Sequence, residues 1–294
     1  MSLFLTQVMN GIGNGAVYAS LALALVLIFK TTGILNFAQG EMALYSTYLT
    51  WYFADRGLSV WVAIVVSMAI SFVLGAGIER VVIRPVEQAS PLVLVIVTIG
   101  LFLAINSIAQ VQFGSEAKHL PRAYPDNTWH PGNVLISADT LVLVGVLALE
   151  CGLLYLLLQR TKLGLAVRSV ASNTESSRLL GVPVGRILMF GWGLSAALGA
   201  LAGSLAVAAS QPALTAASMQ SILFFAFAAA ALGGFDSTVG AVVGGLIVGV
   251  VQSLTTQYFK SLSDIVLVVP FALILVVLMF RPSGLFGTTR VERV

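Results

Sequence analysis

The chain has 294 residues, of which 58% are apolar and 9% charged, and its net charge is +3. An average soluble domain carries roughly 25% charged residues. A water-soluble core of this length cannot hide so much apolar surface, so lipid covers part of it and a soluble enzyme or nucleic-acid-binding module is excluded.

The apolar runs are continuous rather than alternating, which indicates helices and argues against a transmembrane barrel. The opening "MSLFLTQVMNG" has neither a basic n-region nor a small-residue cleavage site, so no removable signal peptide is expected. A single cysteine, Cys151, permits no disulfide framework within the chain.

A spanning helix needs about 20 apolar residues. Candidate spans lie at roughly 5–29, 36–54, 58–79, 91–112, 139–159, 187–209, 218–234, 237–258 and 262–280. Only "GGFDS" separates the seventh from the eighth, so one of that pair is expected to be short, broken or re-entrant. The expected fold is an all-α polytopic bundle of eight or nine transmembrane helices in one membrane domain, residues 1–294.

The first span carries Gly11 and Gly15 four apart, with Asn10 and Asn14 one turn apart on one face and Gln7 close to it. The second, "ILNFAQGEMALYSTYLTWYF", opens with Asn36, Gln39 and Glu41. A segment that only anchored would not place two amides and a carboxylate within six residues. Ionisable and amide groups in a bilayer either bond between helices or border a polar path. Both readings stand for Asn10, Asn14, Asn36, Gln39 and Glu41, with Glu41 close enough to the membrane surface to be solvated. Asn106 and Gln110 share a face of the fourth span, and Glu150 sits deep in the fifth.

Two loops are long. The first, about 113–138, has three prolines and mixed polar residues, against a long helix. It holds His119, Asp126 and His130, whose spacing matches no familiar metal site. The second, about 160–186, reads "RTKLGLAVRSVASNTESSRLLGVPVGR". Its middle predicts a short surface helix over 164–180, stopped by Gly181 and Pro183. Val167, Val170, Leu179 and Leu180 would give apolar contacts. Arg168 and Glu175 would share a face, and Glu175 would pair with Arg178 at i,i+3.

Further along, Gly199 and Gly203, Gly240 and Gly244, and Gly245 and Gly249 repeat the four-residue spacing that lets helix backbones approach closely. Eleven of the fifteen basic residues fall on one side: Lys30, Arg80, Arg84, Arg160, Lys162, Arg168, Arg178, Arg186, Arg281, Arg290 and Arg293. That side is expected to be cytoplasmic, and the 113–138 loop periplasmic. No nucleotide-binding, zinc-protease or nucleophile-elbow motif is present, so if the chain belongs to a pump the energy comes from another subunit. A stand-alone transporter or channel driven by an ion gradient is the alternative of another class.

Three stretches carry a resemblance: residues 11–42, "GIGNGAVYASLALALVLIFKTTGILNFAQGEM"; residues 164–187, "GLAVRSVASNTESSRLLGVPVGRI", followed by "SAALGALAG"; and residues 229–254, "AAALGGFDSTVGAVVGGLIVGVVQSL". Together they resemble the membrane permease of ATP-binding-cassette importers of the branched-chain amino acid type, along nearly the whole chain. Gln39 stands where that family more usually has histidine, and Ser177 where it often has alanine. The resemblance implies a multi-pass protein of the bacterial inner membrane that is not itself an enzyme. Its partners would be a second, related permease, two cytoplasmic ATPase subunits and a periplasmic solute-binding protein. ATP and Mg would sit in the ATPases, with no cofactor in this chain. The second long loop resembles the family's coupling motif, which implies an ATPase-coupling role for Gly164, Arg168, Asn173, Glu175, Arg178 and Gly181. The solute would be a branched-chain or related neutral amino acid, with urea, short amides or aromatic acids as the family's alternatives.

Overall fold

The computed structural model describes residues 2–131, 134–210, 213–259 and 268–287. It is nearly all helical: α1 (Ser2–Thr32), α2 (Gln39–Asp55), α3 (Val60–Ile78), α4 (Pro91–Phe113), α5 (Ala138–Arg160), α6 (Lys162–Ser172), α7 (Thr174–Leu179), α8 (Val184–Ser210), α9 (Ser218–Gly233), α10 (Thr238–Tyr258) and α11 (Val268–Phe280). Past α3 the chain stays coiled through a π-helical turn, Glu79–Ile83, and a 3-10 turn, Arg84–Val86. Two antiparallel two-residue strands, β1 (Thr128–Trp129) and β2 (Ile136–Ser137), occupy the proline-containing loop.

Among the described residues, six helices are long and apolar enough to cross a membrane: Ser2–Thr32, Val60–Val86, Pro91–Phe113, Ala138–Arg160, Val184–Ala209 and Thr238–Tyr258. Three further expected spans are shorter here. α2 has 17 residues and α9 has 16, about 25 Å of helix each against roughly 30 Å of hydrocarbon. The ninth span is described only from Val268, residues 262–267 lying outside the described residues. α2 carries its polar residues because protein, not lipid, surrounds it: Gln39, Glu41, Ser46, Thr47 and Thr50 are all buried.

Helix ends follow local chemistry. Pro91 starts α4 at its first turn, where its missing N–H costs nothing, and Gly114 ends it with φ 82°. Thr161 and Ser237 cap α6 and α10 by accepting from the N–H of Gly164 and Gly240, both at 3.0 Å.

The described residues divide into two compact units. One gathers residues of Met1–Val26, Tyr124–Leu147 and Ser221–Val294. Here α1 lies backbone-to-backbone on α10: a Cβ on Gly15 would fall 2.8 Å from the carbonyl oxygen of Gly245, and one on Gly249 would strike the backbone of Gly15 and Gly11. Gly240 and Gly244 meet Gly233 and Ala229 of α9 in the same way. The chain after α11 clips to the end of α9 through Leu285 N–H to Leu232 O (2.9 Å) and Phe286 N–H to Gly233 O (3.0 Å).

The other unit gathers Leu27–Ala123 and Ala148–Gln220. Its core joins Ile28, Met42, Ile83, Trp192 and Ala196. Gly199 and Gly203 of α8 let α2 approach, their missing Cβ positions being taken by Gln39 and Ala43 and by Thr47. A second cluster packs Val167 and Val170 of α6 on Val184, Ile187 and Leu188 of α8.

Candidate functional site

The polar start of α2 is fully enclosed. Asn36 and Glu41 are 1% exposed and Gln39 is 0%. Asn36 Oδ1 accepts from the N–H of Ala38 (3.0 Å), which shapes the turn into α2, and its Nδ2 donates to Gln39 Oε1 (3.3 Å). Gln39 reaches α8: its Nε2 donates to Ser195 O (3.1 Å), and the Ser195 hydroxyl donates to Gln39 Oε1 (2.9 Å). Glu41 turns to α4, where Asn106 Nδ2 donates to Oε2 (2.8 Å). The other Asn106 amide hydrogen goes to Ala216 O (3.0 Å), and Gln110 Nε2 donates to Asn106 Oδ1 (2.6 Å). The solvated position expected for Glu41 is therefore corrected: α4 covers it, and an amide from α4 takes the place of water. Its Oε1 has no hydrogen-bond partner among the described residues. Further along α2, the Ser71 hydroxyl donates to Ser46 (2.6 Å) and Thr50 bonds Ser204 (2.8 Å). Hydroxyls and amides thus tie α2 to α3, α4 and α8 along its length.

Asn10 and Asn14 occupy a separate place. Asn10 is half-buried on α1, and Asn14 Nδ2 donates to Gln252 Oε1 of α10 (3.1 Å). Gln7 donates to Gln257 (3.2 Å) and accepts from the Ser253 hydroxyl (3.0 Å). These bonds border the glycine contact of α1 with α10, and they belong to a different compact unit from the α2 group.

The expected helix over 164–180 is two helices. Asn173 leaves helical geometry (φ −156°, ψ 104°) and accepts from the N–H of Ser176 (2.8 Å), ending α6 and capping α7. This break removes the shared face expected for Arg168 and Glu175. Arg168 instead donates to Gln159 of α5 (2.8 Å). The expected Glu175–Arg178 pair is likewise replaced: Arg178 Nη2 meets Glu87 Oε1 at 2.6 Å. Glu87 is half-buried where Glu175 is exposed, so solvent screens its attraction to Arg178 less. Gly164 sits against the carbonyls of Leu157 and Leu158, where a Cβ has no room, and Gly181 turns the chain with φ 82°. Of the expected apolar contacts, Val167 and Val170 face α8, while Leu179 and Leu180 are 85% and 81% exposed.

Residues outside the expected set complete this region. Glu79, 1% exposed, receives two bonds from Arg84 (3.2 and 2.7 Å), and Arg84 also donates to Gly185 O (2.6 Å). The five-residue spacing of Glu79 and Arg84 suits a π-turn, a signal legible only once that rare turn is known. A cavity of about 420 Å³ opens beside them, walled by the end of α1, the π and 3-10 turns, α7 and α8. A second cavity, about 280 Å³ and mostly apolar, lies between α2, α3, α4 and α8, with polar atoms from Tyr45, Ser46 and Ser71.

Several membrane-length apolar helices, tied by buried amides, hydroxyls and one carboxylate, define a polytopic α-helical membrane protein. The chain belongs to the family described as branched-chain amino acid transport system / permease component, which matches residues 7–278. It is 30% identical to the high-affinity branched-chain amino acid transport system permease protein LivH of Escherichia coli K12, over 99% of this chain and 98% of that protein. It is also 30% identical to the corresponding protein BraD of Pseudomonas aeruginosa over the same shares. The fructose import permease protein FruF of Bifidobacterium longum is 23% identical over 81% of this chain and 67% of its own length. No solved structure matches.

Proposed function

We propose that this chain is the non-catalytic permease subunit of an ATP-binding-cassette importer that takes up branched-chain or related neutral amino acids. The observation that carries this reading is the near full-length similarity to permeases named for that transport, at higher identity than the fructose permease. The chain acts as one multi-pass permease domain of the bacterial inner membrane, with two or all three of α2, α9 and α11 added to the six long helices to give eight or nine crossings. Two ATPase subunits hold ATP and Mg, a second, related permease completes the path, and a periplasmic binding protein delivers solute.

In this reading α6 and α7 face the cytoplasm and receive the ATPase. The exposed Leu165, Leu179 and Leu180 offer it an apolar contact. Motion then has two routes into the membrane. Val167 and Val170 push on Val184, Ile187 and Leu188 at the start of α8, and Arg178 pulls on Glu87 just beyond the 3-10 turn. α8 and α2 move together because Gln39 and Ser195 join them. Asn36, Gln39 and Glu41 act in this mechanism as the junction that transmits the movement, not as solute ligands.

The test is gentle solubilisation of the tagged chain from its native membrane, with mass spectrometry of what accompanies it and uptake of labelled L-leucine in a strain lacking it. Recovery of two ATPases and a second permease, with uptake lost in the deletion strain, is the expected result. Recovery of the chain alone, still supporting uptake in vesicles without ATP, would overturn it in favour of an ion-driven transporter.

A further inference from the structure

The 420 Å³ cavity beside α7 is within the size range of small-molecule sites and joins two kinds of wall. One wall is apolar, formed by Ile34, Ile83, Leu188 and Trp192. The other carries ionised groups of both signs. Glu79 is already satisfied by Arg84, so that pair is closed to a ligand. Glu87 and Arg178 meet through one carboxylate oxygen and one guanidinium nitrogen, with the Arg178 side chain 47% exposed. A guanidinium has five N–H donors in a fork that fits a carboxylate, so most of the Arg178 donors stay open to a second acceptor. Glu175, also in the wall, is exposed and has no ion-pair partner among the described residues.

These groups select by charge. With the Glu79–Arg84 pair closed, Glu87 and Glu175 disfavour a phosphate or nucleotide, and the open Arg178 donors call for an acceptor that a simple cation does not supply. A molecule carrying one positive and one negative group on the same carbon satisfies both. We propose that this cavity is a binding site for a zwitterionic amino acid with an aliphatic side chain. Its carboxylate takes the open donors of Arg178, its ammonium lies between Glu87 and Glu175, and its side chain rests on Ile34, Leu188 and Trp192. The choice of an amino acid as ligand rests on the function proposed above. Every wall residue belongs to one compact unit of this chain. A ligand there competes with the Glu87–Arg178 bond, which is one of the two links from α6 and α7 into the membrane helices.

The test uses the full chain with its co-purifying partners in lipid nanodiscs, without the binding protein, and measures equilibrium binding of tritiated L-leucine. Arg178→Gln and Glu87→Gln should each raise the dissociation constant by at least about tenfold, since each removes a charge-assisted contact. Arg178 is half-exposed, so its variant should fold, and size-exclusion profiles of both variants are the check on that. Unlabelled 3-methylbutylamine and 4-methylpentanoate, which lack one of the two charges, should displace L-leucine at least about tenfold less well than L-leucine itself. Absence of binding to the wild type, wild-type affinity in either variant, or displacement by either analogue as strong as by L-leucine itself would overturn the proposal. Uptake by the wild-type strain and its deletion strain is measured in parallel. Unchanged uptake on deletion would sink the importer reading by itself, while the binding result would still decide the site.

Discussion

Asn106 of α4 donates one amide hydrogen to Glu41 Oε2 of α2 at 2.8 Å and the other to the carbonyl of Ala216 at 3.0 Å. One side chain therefore closes two acceptors that come from different parts of the chain. Its own carbonyl is closed by Gln110. No lone substitution at this centre is neutral unless it leaves all three partners satisfied.

Replacing Asn106 by leucine strands the Glu41 carboxylate and the Ala216 carbonyl in a buried place. Each unsatisfied group costs about 1–3 kcal/mol. The melting temperature of the solubilised protein should fall by several degrees, at about 2–4 °C per kcal/mol for a domain of this order of size. Glu41→Gln keeps an acceptor for Asn106 and should melt within about 2 °C of the wild type. The double variant Glu41→Leu with Asn106→Leu should cost less than the sum of the two single leucine variants, since the pair leaves no charge behind. Additive losses would show that the two side chains do not interact.

The glycine contact of α1 with α10 gives a second contrast. A Cβ on Gly249 would run into the backbone of Gly15 and Gly11, whereas one on Gly145 or Gly152 of α5 meets nothing within 4 Å. Gly249→Ala should destabilise, because backbone cannot step aside as a flexible side chain can. Gly145→Ala should be neutral, or stabilise by up to about 1 kcal/mol through helix propensity. Thermal melts of the two variants side by side check this. Equal behaviour would remove the close approach.

How much of this was legible in the sequence depends on the range of the interaction. The helices were read from apolar runs to within a few residues, as with 91–112 against Pro91–Phe113. The Asn173 cap was also present as a local signal, a side-chain acceptor three residues before the Ser176 N–H it receives, yet the run of helix formers around it suggested one helix. Partners far apart in sequence were not legible. Glu41 and Asn106 are 65 positions apart, and Arg178 and Glu87 are 91 apart. A local rule sees Glu175 beside Arg178 and cannot see Glu87. The burial of α2 was undecided for the same reason: a helix shielded by protein needs no apolar face toward lipid, so its amides fitted interhelical bonds and a polar path equally well.

The Asn173 cap itself can be tested. Asn173→Ala removes the acceptor for Ser176 N–H and should cost about 1 kcal/mol, concentrated in α7. Hydrogen–deuterium exchange should then speed up over residues 174–179, with α8 unchanged. Asn173→Asp keeps the cap and should preserve wild-type protection. Equal protection in all three proteins would mean that α7 is held by its neighbours alone.

The Arg178–Glu87 pair separates a stability effect from a coupling effect. Both side chains are partly exposed, at 47% and 24%, so the pair should add no more than about 1 kcal/mol to stability. Its place is what matters: it ties a six-residue helix to the segment that follows α3 and its π and 3-10 turns. Under the proposed function, Glu87→Arg leaves two like charges facing each other and should uncouple ATP hydrolysis from L-leucine uptake, with little change in melting temperature. Glu87→Arg combined with Arg178→Glu restores an ion pair in reversed order. The ratio of solute moved to ATP hydrolysed, measured in proteoliposomes of the whole importer, should return toward the wild-type value in that double variant. Recovery would mean that attraction between these two positions, rather than either side chain alone, carries movement from α7 to α3. Failure to recover, with both single variants impaired, would assign the two residues separate contacts instead.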